Sequence, residues 1–386
     1  MNFKQLIRLM HVNLQTPKNV APPLMIWSDP GTAKTSAAYA LAQSYKWRKN
    51  VLITSMMDPT DIGGTPYPSE KNEYSKHLKP QWFHDAMKGE PTLIIWDEIT
   101  SSPAACQAAT MRIVHEGAID DDYLPDTARH MLIGNPPETA ANGTEMPYPL
   151  ANRLQHVQTD GPDLTEFLAH LAGEDNVPAL EKVDPEKRQI AYDHVQSVVE
   201  GYARKLGALP KESPAAIRGR FPMAYATIRS WRNLVNLYAT AIALDMEDLL
   251  PTIAIGTIGE PCGIQFEKAR KEMNLPNADD LLDGKVKWNP KADRPDITFA
   301  VCGAIGRAAV RADNKKTAEY KRRWSAAWPL LDKVLPMGED FVAIATRILV
   351  NEKNRPSNWA DNPLVVKIAA IVNPVINASG IALDKK

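Results

Sequence analysis

The sequence predicts an α/β core, a parallel sheet held between helices, followed by an all-helical lid and an appended helical C-terminal region. Three observations lead there. Short apolar runs of strand length, Leu24 to Trp27, Val51 to Ser55, Thr92 to Trp96 and Ala128 to Gly134, alternate with helix-forming stretches through the first part of the chain. After Gly161-Pro162 strand signals thin out and helical patterns take over. Beyond Met273 the chain enters Asn274-Leu275-Pro276-Asn277 and a Lys/Pro/Asp-rich connection through Pro295, the composition of a linker or binding segment. The expected division is 1–162 for the α/β domain, 163–272 for the lid and 273–386 for the C-terminal extension.

Element by element, Met1 to Leu14 has helical apolar spacing and no signal-peptide core, and Ser36 to Ser44 is a strong helix former. In the lid, helices are expected over Asp163 to Ala172, Pro185 to Leu206 and Thr227 to Leu244, with Asp163, Asp184 and Thr227 as caps. In the extension they are expected over Asp296 to Ala312, Thr317 to Val334, Gly338 to Lys353 and Asn362 to Ala378, with no fixed-period repeat.

Composition narrows the classes. A chain of 386 residues with 44% hydrophobic content can build two or three cored domains. A net charge of −1 gives no global field toward nucleic acid or anionic membrane. Cys106, Cys262 and Cys302 are scattered and odd in number, which suits buried thiols in a reducing cytosol rather than a zinc site or disulfide framework. No apolar run approaches membrane-spanning length, so a cytoplasmic protein without membrane insertion is expected. The histidines never fall at metal-ligand spacing, and Asp120-Asp121-Asp122 reads as a turn. Lys315-Lys316 and Lys321-Arg322-Arg323-Trp324 read as a solvated helix face more readily than as a phosphate-backbone contact.

The chemistry concentrates in Ser28-Asp29-Pro30-Gly31-Thr32-Ala33-Lys34-Thr35-Ser36, which lies between a strand and a helix. Backbone N–H groups and the positive helix end then converge on one concavity, the arrangement that holds a triphosphate. Lys34 is placed to reach the phosphates, and Thr35 to hold Mg²⁺. The pattern G-x-x-x-x-G-K-[ST] expects glycine where this chain has Ser28 and Ala33, so Pro30 and Gly31 must shape the turn. A Cβ at residue 33 is tolerable with helical φ/ψ there, whereas a positive φ disfavours alanine. Downstream, Thr92-Leu93-Ile94-Ile95-Trp96-Asp97-Glu98 ends an apolar run in two carboxylates: Asp97 for the metal shell, Glu98 to polarise an attacking water. A third strand ends in Asn135 before Pro136-Pro137, where a neutral amide can contact a γ-phosphate or the lytic water.

In this order these segments resemble the core of an AAA+ P-loop ATPase, in the MoxR-like and dynein-related branch and of bacterial or phage type. Met57-Asp58-Pro59-Thr60-Asp61-Ile62-Gly63-Gly64 and the Pro/Tyr-rich stretch to Leu78 resemble that branch's helix-2 hairpin insertion. Its Tyr67, Tyr74 and His77 either face a ring pore or pack the hairpin. Pro149-Leu150-Ala151-Asn152-Arg153-Leu154 resembles the segment that ends in an arginine finger, and Thr227-Ile228-Arg229-Ser230-Trp231 a sensor-2 helix start that has Ile228 where the family often has proline.

The resemblance implies ATP and Mg²⁺ as ligands and a homo-oligomeric ring, hexameric by family habit. It also implies a remodelled protein client, often one with a von Willebrand factor A domain. Arg153 would serve the neighbouring subunit's nucleotide, and Arg229 the γ-phosphate of its own, with Arg232 as rival and Arg112 and Arg129 unassigned. Two other readings stay open: a nucleotide-gated assembly subunit that does not hydrolyse, and a nucleic-acid-translocating ring.

Overall fold

A computed structural model describes residues 1–71, 73–136, 138–140, 145–172, 177, 180–221, 223–311 and 317–378. Pro137, Lys315 and Lys316 lie outside the described residues. The chain forms two compact units, Met1–Arg188 with Pro210–Gln265, and Gln189–Leu209 with Phe266–Lys386. The segment expected as lid is thus shared between them.

In the first unit, α1 (Phe3–Gln15) precedes β1 (Leu24–Trp27), α2 (Lys34–Ser44) and β2 (Arg48–Ile53). The described residues between Asp58 and Leu78 form α3 (Pro59–Gly63), capped by Asp58, and an antiparallel hairpin, β3 (Thr65–Pro68) and β4 (Ser75–Leu78). Then come α4 (Gln81–Ala86), β5 (Thr92–Asp97), α5 (Ala104–Glu116), the small hairpin β6 (Ala118–Ile119) and β7 (Asp122–Tyr123), β8 (Ala128–Gly134), α6 (Tyr148–Ala151) and β9 (Gln155–Gln158). The five-stranded sheet runs β2-β5-β8-β1-β9, every neighbouring pair parallel. Its register aligns Trp27 with both Gly134 and Gln158, so β1, β8 and β9 end together, while β8 begins three residues before the Met131 that pairs with Leu24.

The central strands read as continuous apolar runs because both sheet faces are covered. All of β1 and β8 is buried, and β5 is buried up to Asp97. Trp27, Trp82, Trp96 and Leu132 anchor the core, with Trp96 meeting Trp82 edge-on at 5.3 Å between ring centroids. β2 is an edge, and its polar start is tied down by Arg48 to Asp85 (3.0 Å) and Asn50 to the Trp82 carbonyl (3.1 Å). It therefore begins three residues before the apolar run that announces it.

β9, which its polar composition hides, is the other edge. Gln155 accepts from Asn13 at 2.9 Å, and His156 accepts from Trp27 Nε1 at 2.9 Å while its Nε2 donates to the Ala151 carbonyl. Burial pushes the His156 pKa down to about 4, so the ring stays neutral.

Helices complete this unit: α7 (Leu164–Leu171), the start of α8 (Pro185–Leu206), α9 (Ile228–Ala243), α10 (Leu250–Ile258) and the start of α11 (Glu260–Glu272). Thr227 caps α9 as expected, in a reciprocal box with Ser230. Asp120 sits in a turn, where it accepts from the backbone and ring of His77. Tyr67 and Tyr74 on the β3–β4 hairpin are exposed.

The second unit is helical. It takes in the rest of α8 and α11, with α12 (Ala278–Leu282), α13 (Pro295–Ala309), α14 (Ala318–Asp332), α15 (Glu339–Val350) and α16 (Pro363–Ala378). Trp324, Trp328, Leu331, Val342 and Leu349 lie in its core. Arg311 pairs with Asp193 (2.9 Å) and Asp279 (2.8 Å), Arg322 with Asp283 (2.6 Å) and Glu319 (2.7 Å), and Arg323 with Asp279. These partners neutralise Arg322 and Arg323 of the basic patch that the sequence places here. All three cysteines are free and buried. Among the described residues no helix is long and apolar enough to cross a membrane.

Candidate nucleotide site

The loop after β1 stands where the sheet's central strands end. Ser28 N–H donates to the Gly134 carbonyl (3.3 Å), which extends the β1–β8 ladder by one bond and aims the chain upward between the strands. Gly31 turns the loop at φ +80°, with open space where a Cβ would stand. Asp29, Pro30 and Gly31 are exposed, and Thr32 donates to the Asp29 carbonyl (2.8 Å) while its hydroxyl also meets that of Ser28.

Ala33 has φ 62°, ψ 23° and immediately precedes α2. The loop therefore takes the conformation that disfavours alanine, at a cost of about 1 kcal/mol. Ala33→Gly is expected to raise the thermal unfolding midpoint of the nucleotide-free protein, by the equivalent of about 0.5 to 1 kcal/mol. An unchanged or lower midpoint would contradict a left-handed residue 33.

Lys34, Thr35 and Ser36 begin α2, and with residues 31–33 they line a cavity of about 380 Å³. Lys34 is buried and donates to the carbonyls of Ser28 (2.8 Å) and Asp29 (2.7 Å) and to Asn135 Oδ1 (2.9 Å). Burial lowers its pKa, and the charges of Asp97 and Asp29 pull it back up. A buried ammonium held by neutral acceptors has much to gain from an anion.

Thr35 Oγ1 donates to Asp97 Oδ2 at 2.9 Å. Asp97 Oδ1 accepts from the Glu98 N–H (2.9 Å), and the Asp97 carbonyl accepts from Thr54 (2.8 Å). Glu98 is exposed, left-handed at φ 55°, and accepts from the Ser55 hydroxyl. Of the five non-glycine residues with positive φ among those described, Ala33 and Glu98 both lie here. Asn135 is positioned through its own N–H, which donates to Thr100 Oγ1 at 3.1 Å. Ser55, Thr54 and Thr100 carry no motif signal, and only the fold brings them to the site.

Lys34, Thr35, Asp97, Glu98 and Asn135 thus converge through direct hydrogen bonds, with the strand that bears Asn135 lying between the loop strand and the carboxylate strand. The fold is that of a P-loop NTPase. No protein-family profile and no curated protein matches this chain. Among solved structures it is similar to a candidate ATPase from Cytophaga hutchinsonii, with 16% identity, a TM-score of 0.44, and 70% of this chain and 89% of that one covered. The P-loop assignment rests on the loop, carboxylates and strand order of this chain.

Arg153 and Arg229 are elsewhere. They line a second cavity of about 380 Å³ with Lys18, His115 and Arg232, walled by Pro22 and Pro23 before β1 and by Ala128 at the start of β8. That is the opposite end of the strands from the P-loop. The Thr227 hydroxyl donates to Asn152 Oδ1 (3.1 Å) and so fastens the start of α9 beside Arg153. Burial, then the charge of Arg229, lowers the pKa of Arg153, and its Nε is buried without a partner. The expectation that Arg229 meets the γ-phosphate of its own chain is corrected by this placement, which groups it with Arg153. Arg129, left unassigned by the sequence, is buried and donates to the carbonyls of Asn13, Leu14 and Thr16. Arg112 pairs with Glu116 at 3.1 Å.

Proposed function

We propose that this chain is a Mg-ATP-dependent AAA+ ATPase of MoxR type, active in the cytoplasm as a hexameric ring that remodels or activates a protein partner. The observation that carries the reading is the paired contact of Lys34 with Asn135 and of Thr35 with Asp97 beneath an open loop. The residues fit the ligands. The Lys34 donors, now on carbonyl and amide oxygens, suit phosphate oxygens, and the Thr35 hydroxyl and Asp97 carboxylate are hard oxygen donors of the kind Mg²⁺ takes. Bound Mg²⁺ would neutralise charge on the phosphates.

The chain's own groups divide the remaining tasks. Glu98 is the acceptor for a proton of the attacking water, and it must leave or share its Ser55 hydrogen bond to act. Asn135 offers a neutral amide beside Lys34, so loss of the γ-phosphate returns both groups to each other. Arg153 and Arg229, at the far end of the strands, are available to a neighbouring copy's triphosphate, where planar guanidinium groups stabilise charge on equatorial oxygens. The exposed Tyr67 and Tyr74 of the hairpin are the candidate contacts for a client, and a von Willebrand factor A partner is expected from the resemblance alone. Pairing of Arg322 and Arg323 with carboxylates favours a protein client over nucleic acid.

Titration with a fluorescent ATP analogue in Mg²⁺ tests the loop. Lys34→Ala should weaken binding about 10- to 100-fold, the value of one or two charged hydrogen bonds. Unchanged affinity would remove the loop from the site.

A further inference from the structure

Helix α7 carries an apolar stripe that stays exposed among the described residues. Leu164, Phe167, Leu168 and Leu171 fall at helical spacing on one face and are 71%, 47%, 54% and 66% exposed. The polar side of the helix is fixed: Asp163 and Glu166 cap each other reciprocally, and Glu166 accepts from the N–H groups of Phe3 (3.2 Å) and Lys4 (2.9 Å). With that side bolted to the start of α1, the stripe is presented outward.

The helix also stands beside the P-loop. Gly161, at φ +87°, packs so closely that a Cβ there would lie 3.0 Å from Thr32, and Leu164 follows three residues later, within about 10 Å of chain. The face that carries Arg153 and Arg229 presents apolar groups of its own, Ile228 and Tyr123, which are 60% and 65% exposed. Tyr123 lines the arginine cavity, and Ile228 adjoins Arg229. Charge is complementary as well: Asp29 and Asp163 are exposed on the loop side, where Asp160 is already paired with the Met1 amino group (3.2 Å), and Arg229 and Arg232 are exposed on the other.

We infer that α7 is a docking helix for a second copy of this chain, met head to tail by the face that carries Ile228 and Tyr123. The inference rests on the ring reading above and names its contact. A copy that brings Arg229 over a neighbour's P-loop must bring Ile228 with it, and the α7 stripe is an apolar surface that follows the Gly161–Thr32 contact beside that loop. Because the two patches differ, the contact is heterologous and propagates around a ring instead of closing a dimer.

The test uses full-length protein in the Glu98→Gln background, with Mg-ATP. Leu168→Cys is made in one preparation and Ile228→Cys in another of different tag, the three native thiols being buried. A short bismaleimide should join the two in the mixture and leave Leu168→Cys alone uncrosslinked. Crosslinking of Leu168→Cys only to itself would overturn the head-to-tail contact. Absence of any product, while sedimentation shows an assembled complex, would assign the stripe to another partner and overturn the inference with the ring intact. A protein that binds nucleotide yet stays monomeric would overturn both. As a second readout, Leu168→Asp with Leu171→Asp should raise the concentration needed for assembly at least tenfold, with nucleotide affinity of the monomer unchanged. Wild-type assembly by that variant would also refute the contact.

Discussion

Arg153→Ala is expected to lower Mg-ATP turnover about 10³- to 10⁵-fold, the range an arginine finger contributes, and to leave nucleotide affinity of the monomer within a few fold. The reason is positional. Arg153 lines a cavity at the starting ends of β1 and β8, whereas Lys34 and Thr35 sit where β1 ends, so the guanidinium is absent from its own chain's loop. Its Nε is buried without a partner and Arg229 stands close enough to depress its pKa, an arrangement that an anionic group from another copy would relieve. Mixing supplies the decisive control. Subunits with Arg153→Ala keep Glu98, and subunits with Glu98→Gln keep Arg153, so a mixed ring contains junctions where one copy completes the other. Partial recovery of turnover in the mixture is the expected result. If two inactive variants stay inactive when shown to co-assemble, Arg153 does not act across a junction.

Glu98→Gln is expected to reduce turnover about 10²- to 10⁴-fold while ATP binding persists, because the amide keeps the size of the carboxylate and loses its proton affinity. Of the adjacent pair Asp97 and Glu98, Glu98 is exposed and accepts from the Ser55 hydroxyl, whereas Asp97 is engaged by Thr35 and the Glu98 N–H. That asymmetry separates a base free to meet water from a carboxylate fixed for a metal. Steady-state phosphate release in parallel with nucleotide titration measures both halves. A variant that turns over normally would take Glu98 out of the chemistry.

The sequence made the core strands legible because they are buried on both faces. Ala128 to Gly134 forms β8 with the bounds its apolar run suggests, and Asn135 follows it at the site. Edge strands were harder. Arg48-Lys49-Asn50 belongs to β2 through cross-strand pairing and contacts to α4, which no local pattern records. Gln155-His156-Val157-Gln158 looks like a loop and is β9, since Asn13, Trp27 and Ala151 satisfy its buried polar groups from afar. Helix α5 was missed for another reason: Ala104 to Glu116 is rich in small and polar residues, with buried Gln107 and Thr110 bonded to nearby carbonyls.

The site divides the same way. Lys34, Thr35, Asp97, Glu98 and Asn135 were marked by residue type and order. Ser55 and Thr100 were not, because a single hydroxyl acquires meaning only from the partner the fold gives it. The left-handed Ala33 was visible as an alternative, and only φ chooses between its branches. The sequence assigns Arg229 to the γ-phosphate of its own chain, whereas the fold groups it with Arg153, beside which Thr227 bonds to Asn152, seventy-five residues away in sequence.

The central claim is that this P-loop site hydrolyses Mg-ATP between copies of the chain, and steady-state turnover as a function of protein concentration tests it most directly. Specific activity that rises cooperatively with concentration, in step with assembly seen by sedimentation, is the predicted result. Nucleotide binding and stable assembly with no turnover at any concentration would contradict it and leave a nucleotide-gated scaffold in its place.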